Sequence, residues 1–123
     1  MAFTDELALA LEDVTAAIKA ASTTIPYKQI TADYTLVPGD AGCRLGVDGA
    51  TLITITVDAS VFEADKAVLV FREGAGAVTI APASGTTFRT AAATTKLGPQ
   101  YSLATVIFKS STVADINGEL AAS

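Results

Sequence analysis

Residues 42–57 read Gly-Cys-Arg-Leu-Gly-Val-Asp-Gly-Ala-Thr-Leu-Ile-Thr-Ile-Thr-Val, and two runs of β-forming residues in this stretch flank the pair Asp48-Gly49. In residues 53–57 the apolar side chains alternate with threonines, a period of two that is typical of a half-buried strand. Asp and Gly both tolerate the positive φ angles that a type I′ turn requires. The stretch therefore predicts an antiparallel hairpin with its tip at Asp48-Gly49.

On both sides of this stretch, short runs of Val, Ile, Thr and aromatic residues alternate with turn signals every 8 to 12 residues, the pattern of an all-β sandwich or barrel. The predicted strands are residues 34–37, 42–47, 51–57, 67–72, 77–81, 86–89, 101–109 and 112–116. Two of these runs, 68–71 and 106–108, are apolar on both faces, which makes them central strands or gives them one face at an interface. The predicted core contains Ile53, Ile55, Val68, Val70 and Ile107.

Residues 1–22 differ sharply in composition, because they contain seven Ala and no Gly or Pro. They are predicted to form a short α-helix, with Thr4 as its cap and acidic residues in its first turn. Apolar residues recur at spacings of 4, 3 and 4, which describes a heptad seam. The seam consists of Leu7, Leu11, Val14 and Ile18.

A helix of two heptads is too short to be stable alone and must dock on something. Its own β domain, copies of the same chain, and a larger surface are all open. The small residues Ala8, Ala10, Thr15 and Ala17 flank the seam and widen its contact surface. Residues 23–33 are predicted to be an extended arm, since Pro26 disfavours helix at the residue before it. The predicted organisation is a helix (1–22), an arm (23–33) and a mainly β domain (34–123).

Composition excludes several classes of function. The 123 residues carry a formal charge of −5, which disfavours binding to nucleic acid, and no apolar run reaches the length of a membrane helix. There is no His, so His-based nucleophile activation and His metal ligation cannot occur within the chain. The single Cys43 forms no internal disulfide and is expected to be a small buried hydrophobe. The acidic N-terminus does not resemble a signal peptide.

Three local patterns could suggest chemistry, and each has a simpler interpretation. Residues 74–76, Gly-Ala-Gly, lack the Lys-Thr of a phosphate loop and join two strands, so they are expected to form a turn. Asp40, Asp48 and Asp58 lack the spacing of a calcium loop and are also expected in turns. The acidic residues 63 and 65 are expected on a solvated face. The sequence thus predicts no catalytic, cofactor-binding or metal-binding residues, and no enzyme.

A series of short turn and strand motifs runs through most of the chain. They are Tyr34-Thr35-Leu36, Asp40-Ala41-Gly42, residues 53–57, Phe62, residues 74–80, Gly85-Thr86-Thr87-Phe88, Tyr101, residues 106–109 and Asn117-Gly118-Glu119-Leu120. In this order they resemble a small β domain that recurs in virion proteins of tailed bacteriophages: tail fibres, minor tail proteins, head fibres and capsid decoration proteins. The resemblance covers about residues 31–120 and implies a structural, non-enzymatic, usually trimeric module.

Within such a particle, the expected role is a capsid decoration protein of the cement or head-fibre type. A short chain that begins at its own Met suits this role better than a fibre shaft, and the helix and arm could anchor it to the shell. The expected partners are further copies of the chain, which form a homotrimer, and the major capsid protein. The expected location is the surface of the virion, after synthesis in the host cytoplasm. A tail fibre or minor tail module is the first alternative. A receptor- or carbohydrate-binding module is the second, although it requires exposed aromatics and the chain has only eight.

Overall fold

The computed structural model describes residues 25–122, and these residues are mainly β, as predicted. Two short 3-10 turns, Pro38–Asp40 and Ala59–Val61, lie between strands. The strands are β1 (Tyr27–Ile30), β2 (Tyr34–Thr35), β3 (Arg44–Val47), β4 (Ile53–Val57), β5 (Ala67–Arg72), β6 (Val78–Pro82), β7 (Thr87–Arg89), β8 (Leu103–Phe108) and β9 (Val113–Gly118).

The first six strands wind as three successive coils of a β-solenoid. Each coil supplies one strand to each of two sheets, so that β1, β3 and β5 are parallel neighbours in one sheet and β2, β4 and β6 in the other. In the second sheet, for example, Tyr34 pairs with Ile55 and Ile55 with Ile80. The prediction of an antiparallel sandwich or barrel is therefore wrong. Period-two alternation marks a strand with one buried face, but it does not say whether the neighbouring strand is parallel.

The predicted hairpin at Asp48-Gly49 is wrong for the same reason. β3 and β4 lie in different sheets, and residues 48–52 form a corner between them. The glycines of the next corner, residues 73–77, stack directly on this one, and the Gly76 amide donates to the Gly49 carbonyl at 2.7 Å. A Cβ on Gly74 or Gly76 would overlap the backbone of the corner beneath. These glycines thus serve close stacking of coils rather than hairpin turns.

The last three strands close the fold in a different way. β8 runs antiparallel to β5, β9 antiparallel to β8, and β7 parallel to β9, which extends the first sheet to six strands in the order β1-β3-β5-β8-β9-β7. In the three-stranded sheet, residues 95–97 cover the free edge of β6: the Ile80 amide donates to the Thr95 carbonyl at 2.9 Å, and the Leu97 amide to the Val78 carbonyl at 2.9 Å.

The core lies between the two sheets. Four of the five predicted core residues, Ile53, Ile55, Val68 and Val70, are buried, but Ile107 is 40% exposed. The antiparallel register places Val106 opposite Val68 and Ile116, which are both fully buried, so the alternation turns Ile107 outward. The sequence alone could not show which side chains of residues 106–108 turn toward the core, because all three are apolar.

The strand β1 was predicted as part of the arm. Its first three residues, Tyr27, Lys28 and Gln29, are exposed, so the sequence holds no burial signal, yet β1 pairs with β3 over four residues. The predicted helix of residues 1–22 and its seam lie outside the described residues. Within residues 25–122, no helix is long and apolar enough to cross a membrane.

Candidate functional site on the outer face of the six-stranded sheet

The surface that stands out is the outer face of the six-stranded sheet, on the side away from the core. β5 and β8 present their second apolar set there: Leu69 and Phe71 are half-buried, and Ile107 is exposed. The sequence had indicated these strands as central or as having one face at an interface, and the described fold shows both to be central. We define the outer face by Tyr27, Arg44, Leu69, Phe71, Tyr101, Leu103 and Ile107.

The register of four adjacent strands brings the members of this face side by side. Tyr27 on β1 pairs with Arg44 on β3, Arg44 with Leu69 on β5, and Leu69 with Thr105 on β8. The neighbouring row pairs Ala67 with Ile107. The face is therefore continuous across four strands.

A strip of aromatic rings and one guanidinium crosses the outer face. The Arg44 guanidinium carbon lies 5.1 Å from the ring centre of Tyr27 and 5.4 Å from that of Phe71. The Phe71 ring in turn lies 6.2 Å from that of Tyr101. These are cation–π and ring-stacking distances. Among residues 25–122, no carboxylate lies within ion-pair distance of Arg44, and its guanidinium contacts the rings of Tyr27 and Phe71.

Tyr27 is held over the sheet by its neighbours. Its hydroxyl donates to the Glu73 carboxylate at 2.5 Å, and this hydrogen bond raises the pKa of Tyr27 above its ordinary value of 10.0. The ring covers Gly46 of β3, where a Cβ would overlap both the Tyr27 ring and the Glu73 carboxylate. The glycine therefore lets an aromatic ring lie flat on the strand.

Tyr101 is presented by an unusual backbone. It has a φ of 75°, in the left-handed region that non-glycine residues seldom adopt, and its side chain is 66% exposed. The Tyr101 amide donates to the Arg72 carbonyl at 2.7 Å, and the Arg72 guanidinium donates to the carbonyls of Gly98 and Ala75, both at 2.6 Å. Such strain persists only where the surroundings hold it, and it is found at functional surfaces.

A cluster of polar side chains in the first coil could not be foreseen from the sequence. The carboxylate of Asp40, predicted only as a turn residue, is buried and accepts from the Val37 amide at 2.9 Å, the Tyr34 hydroxyl at 2.8 Å and the Lys28 ammonium at 3.3 Å. Burial is the largest cause that raises the pKa of Tyr34. Because the partners lie up to twelve residues apart, only the coil brings them together. Every member is partnered, so the cluster ties the first coil together and offers no reactive group.

The other residues considered for chemistry are structural or exposed. Asp58 caps the second 3-10 turn by accepting from the Ser60 amide at 3.0 Å, and Cys43 is half-buried just before β3. Glu63 and Lys66 border a shallow apolar cavity of about 320 Å³. Within residues 25–122, no three metal-ligating side chains come together.

The residues predicted for docking, Leu7, Leu11, Val14 and Ile18, lie outside the described residues. Comparison of the chain with protein-family models, curated proteins and solved structures finds no significant match. The outer face was foreseen only in part, from the double apolar pattern of β5 and β8. Tyr27 and Arg44 carry no sequence signal because only the pairing of β1 with β3 brings them together. Tyr101 carries none because its placement depends on its backbone conformation.

Proposed function

We propose that this chain is a non-enzymatic structural subunit of a tailed-phage particle, a capsid decoration protein of the cement or head-fibre type. It binds the outside of the shell as a homotrimer, with the major capsid protein and its own copies as partners and with no cofactor. The observation that carries the proposal is the outer face, on which exposed aromatic, arginine and aliphatic side chains form one surface.

The composition of this face is that of a protein interface. Aromatic residues and Arg are enriched at the centres of interfaces and provide most of their binding energy, whereas Lys and Glu are depleted there. A contiguous exposed apolar patch on a folded domain marks a site of interaction. The face lies on β1, β3, β5 and β8, neighbouring strands of one sheet, so association requires little ordering of the backbone.

The phage context is supported by the sequence resemblance of residues 31–120 to virion β domains. An assembly subunit also suits the apolar content of the whole chain, 50%, because copies in contact bury what a monomer exposes.

The proposal is tested on particles of the phage whose genome carries the gene. We expect mass spectrometry to find the chain in purified virions, and a reconstruction to place it on the outer capsid surface in groups of three. Density on the tail would replace the decoration role with the tail alternative. Absence of the chain from purified particles would refute a virion role altogether.

A carbohydrate-binding module is the second candidate, because two of the few aromatic residues are exposed on the outer face. Tyr27 is 47% and Tyr101 66% exposed, whereas the sequence suggested that few rings were available. Exposed rings can stack on the apolar faces of sugars. A glycan array with the full chain distinguishes the candidates: binding that is lost in Tyr101→Ala favours this module, and the assembly role predicts no glycan binding.

A further inference from the structure

We propose that the outer face of the six-stranded sheet binds the apolar seam of a neighbouring copy, formed by Leu7, Leu11, Val14 and Ile18. The inference rests on the proposed function, because it supplies the contact that joins copies of the chain. It names both partners in that contact: a segment that leaves one copy, and the aromatic strip of the next.

The dimensions of the two surfaces agree. As a helix, the eleven-residue step from Leu7 to Ile18 covers about 16 Å at 1.5 Å per residue. The outer face extends from Tyr27 on β1 to Ile107 on β8, which are separated by three strand spacings, about 14 Å. The seam is therefore about as long as the apolar surface is wide.

The chemistry of the two surfaces is also complementary. The seam offers branched aliphatic side chains with small flanking residues, which allow a helix to lie close against a flat sheet. Residues 1–24 carry four carboxylates and one lysine, a net charge of −3. The outer face carries Arg44, for which residues 25–122 provide no carboxylate within ion-pair distance. Approach of the segment thus brings negative charge to a cation that forms no ion pair within residues 25–122.

The point of departure directs the segment toward a neighbour. The chain is fixed in the sheet as far as Pro26, whose carbonyl accepts from the Arg44 amide at 2.8 Å. β1 is the terminal strand of the six-stranded sheet, so the described chain begins at the border of the outer face. The six residues 19–24 reach at most about 20 Å, enough to cross to a copy beside that border. Each copy then gives one segment and receives another, a head-to-tail contact that forms a closed ring when the copies are related by a three-fold rotation.

The test is disulfide cross-linking in full-length chains in which Cys43→Ser removes the native thiol. One tagged chain carries Val14→Cys, and a second chain with a different tag carries Leu69→Cys. After co-expression and mild oxidation, we expect a cross-linked pair that contains both tags. The matched control replaces Leu69→Cys by Thr54→Cys, which lies on the three-stranded sheet, and should give no mixed pair.

Each other outcome has a defined meaning. A chain that carries both Val14→Cys and Leu69→Cys tests docking within one copy: an internal disulfide without mixed pairs overturns the inference. Val14 pairs between seams overturn it in favour of a coiled coil. Absence of any cross-link overturns it as well. In all three cases the proposed function survives if the chain is still found on particles, so the two failures are distinguishable.

A second variant keeps the proposal testable by association. Leu69→Asp places a carboxylate at the centre of the outer face, and we expect it to weaken self-association about 30-fold or more, as for a central interface residue. Its far-UV circular dichroism should match that of the wild type, since Leu69 points away from the core. A folded Leu69→Asp variant with unchanged self-association would also overturn the inference.

Discussion

The assignment of faces can be tested by making the same substitution at two isoleucines. Ile55 lies at the centre of β4 and is fully buried, whereas Ile107 on β8 is 40% exposed on the outer face. The sequence had predicted both in the core. Ile55→Ala should therefore be strongly destabilising, and Ile107→Ala should have little effect on the folded monomer.

The expected magnitudes follow from burial. Ile55→Ala removes three buried carbon groups at about 0.8 kcal/mol each and leaves a cavity, so we expect a loss of about 3 to 4 kcal/mol. At Ile107, solvent fills the space that the side chain leaves and no cavity forms, so the loss should be about 1 kcal/mol or less. In a domain of this size, 3 kcal/mol corresponds to a fall in the melting temperature of about 12 to 24 °C.

The assay is thermal and urea unfolding followed by far-UV circular dichroism, at protein concentrations low enough to keep the chain dissociated. Val70→Ala, a second fully buried position, serves as a positive control and should also be clearly destabilising. Equal losses at Ile55 and Ile107, or a larger loss at Ile107, would refute the register of β8 against β5. A shift of one residue in that register would exchange the two faces of β8.

Three further predictions concern other parts of the fold. Gly76→Ala should destabilise the domain by about 1 to 3 kcal/mol because its Cβ meets the corner beneath, whereas Gly39→Ala, with open space around it, should be neutral in the same unfolding assay; equal effects would argue against stacked corners. The Arg89 guanidinium donates to the Asp115 carboxylate and holds the pKa of Asp115 below its ordinary value of 3.8. The pair therefore contributes stability above about pH 4, which is lost as the pH falls through the lower pKa of the folded state. Because the pair is exposed, the effect should be small; Asp115→Asn should remove this part of the acid dependence, and an unaltered pH profile would contradict it. Dialysis against EDTA should leave the melting temperature unchanged, since no metal-ligand cluster occurs within residues 25–122; a fall would point to a bound ion.

The positions of most strands could be predicted from sequence, with β1 as the exception, but their arrangement could not. Alternation located β4, and the dense apolar runs located β5 and β8, because these patterns reflect burial of individual faces. Asp48-Gly49 favoured the prediction of a hairpin because a tight turn and a solenoid corner can both be formed by Asp followed by Gly. What separates them is the next coil, about 25 residues further on, whose Gly74 and Gly76 pack against the backbone of residues 49–51.

The outer face could be predicted only where the sequence of a single strand shows apolar residues on both of its faces. Leu69 lies between the buried Val68 and Val70, and Phe71 follows Val70, so a second apolar face could be foreseen there. Arg44 and Tyr27 meet only through the parallel pairing of β1 with β3, and β1 has a mostly polar sequence that predicts no strand. The placement of Tyr101 depends on a positive φ angle that no local sequence pattern predicts.

Chemical nitration of the three tyrosines of the full chain, across a range of protein concentrations, tests whether the outer face is an assembly surface. Two of them, Tyr27 and Tyr101, lie on the outer face, while Tyr34 lies away from it and serves as an internal reference. Peptide mass spectrometry gives the rate at each residue. Assembly through this face predicts that Tyr27 and Tyr101 are protected at high concentration and react faster on dilution, while Tyr34 reacts at a constant rate. If Tyr101 reacts equally fast while sedimentation shows an oligomer, the copies associate through another surface and the claim is contradicted.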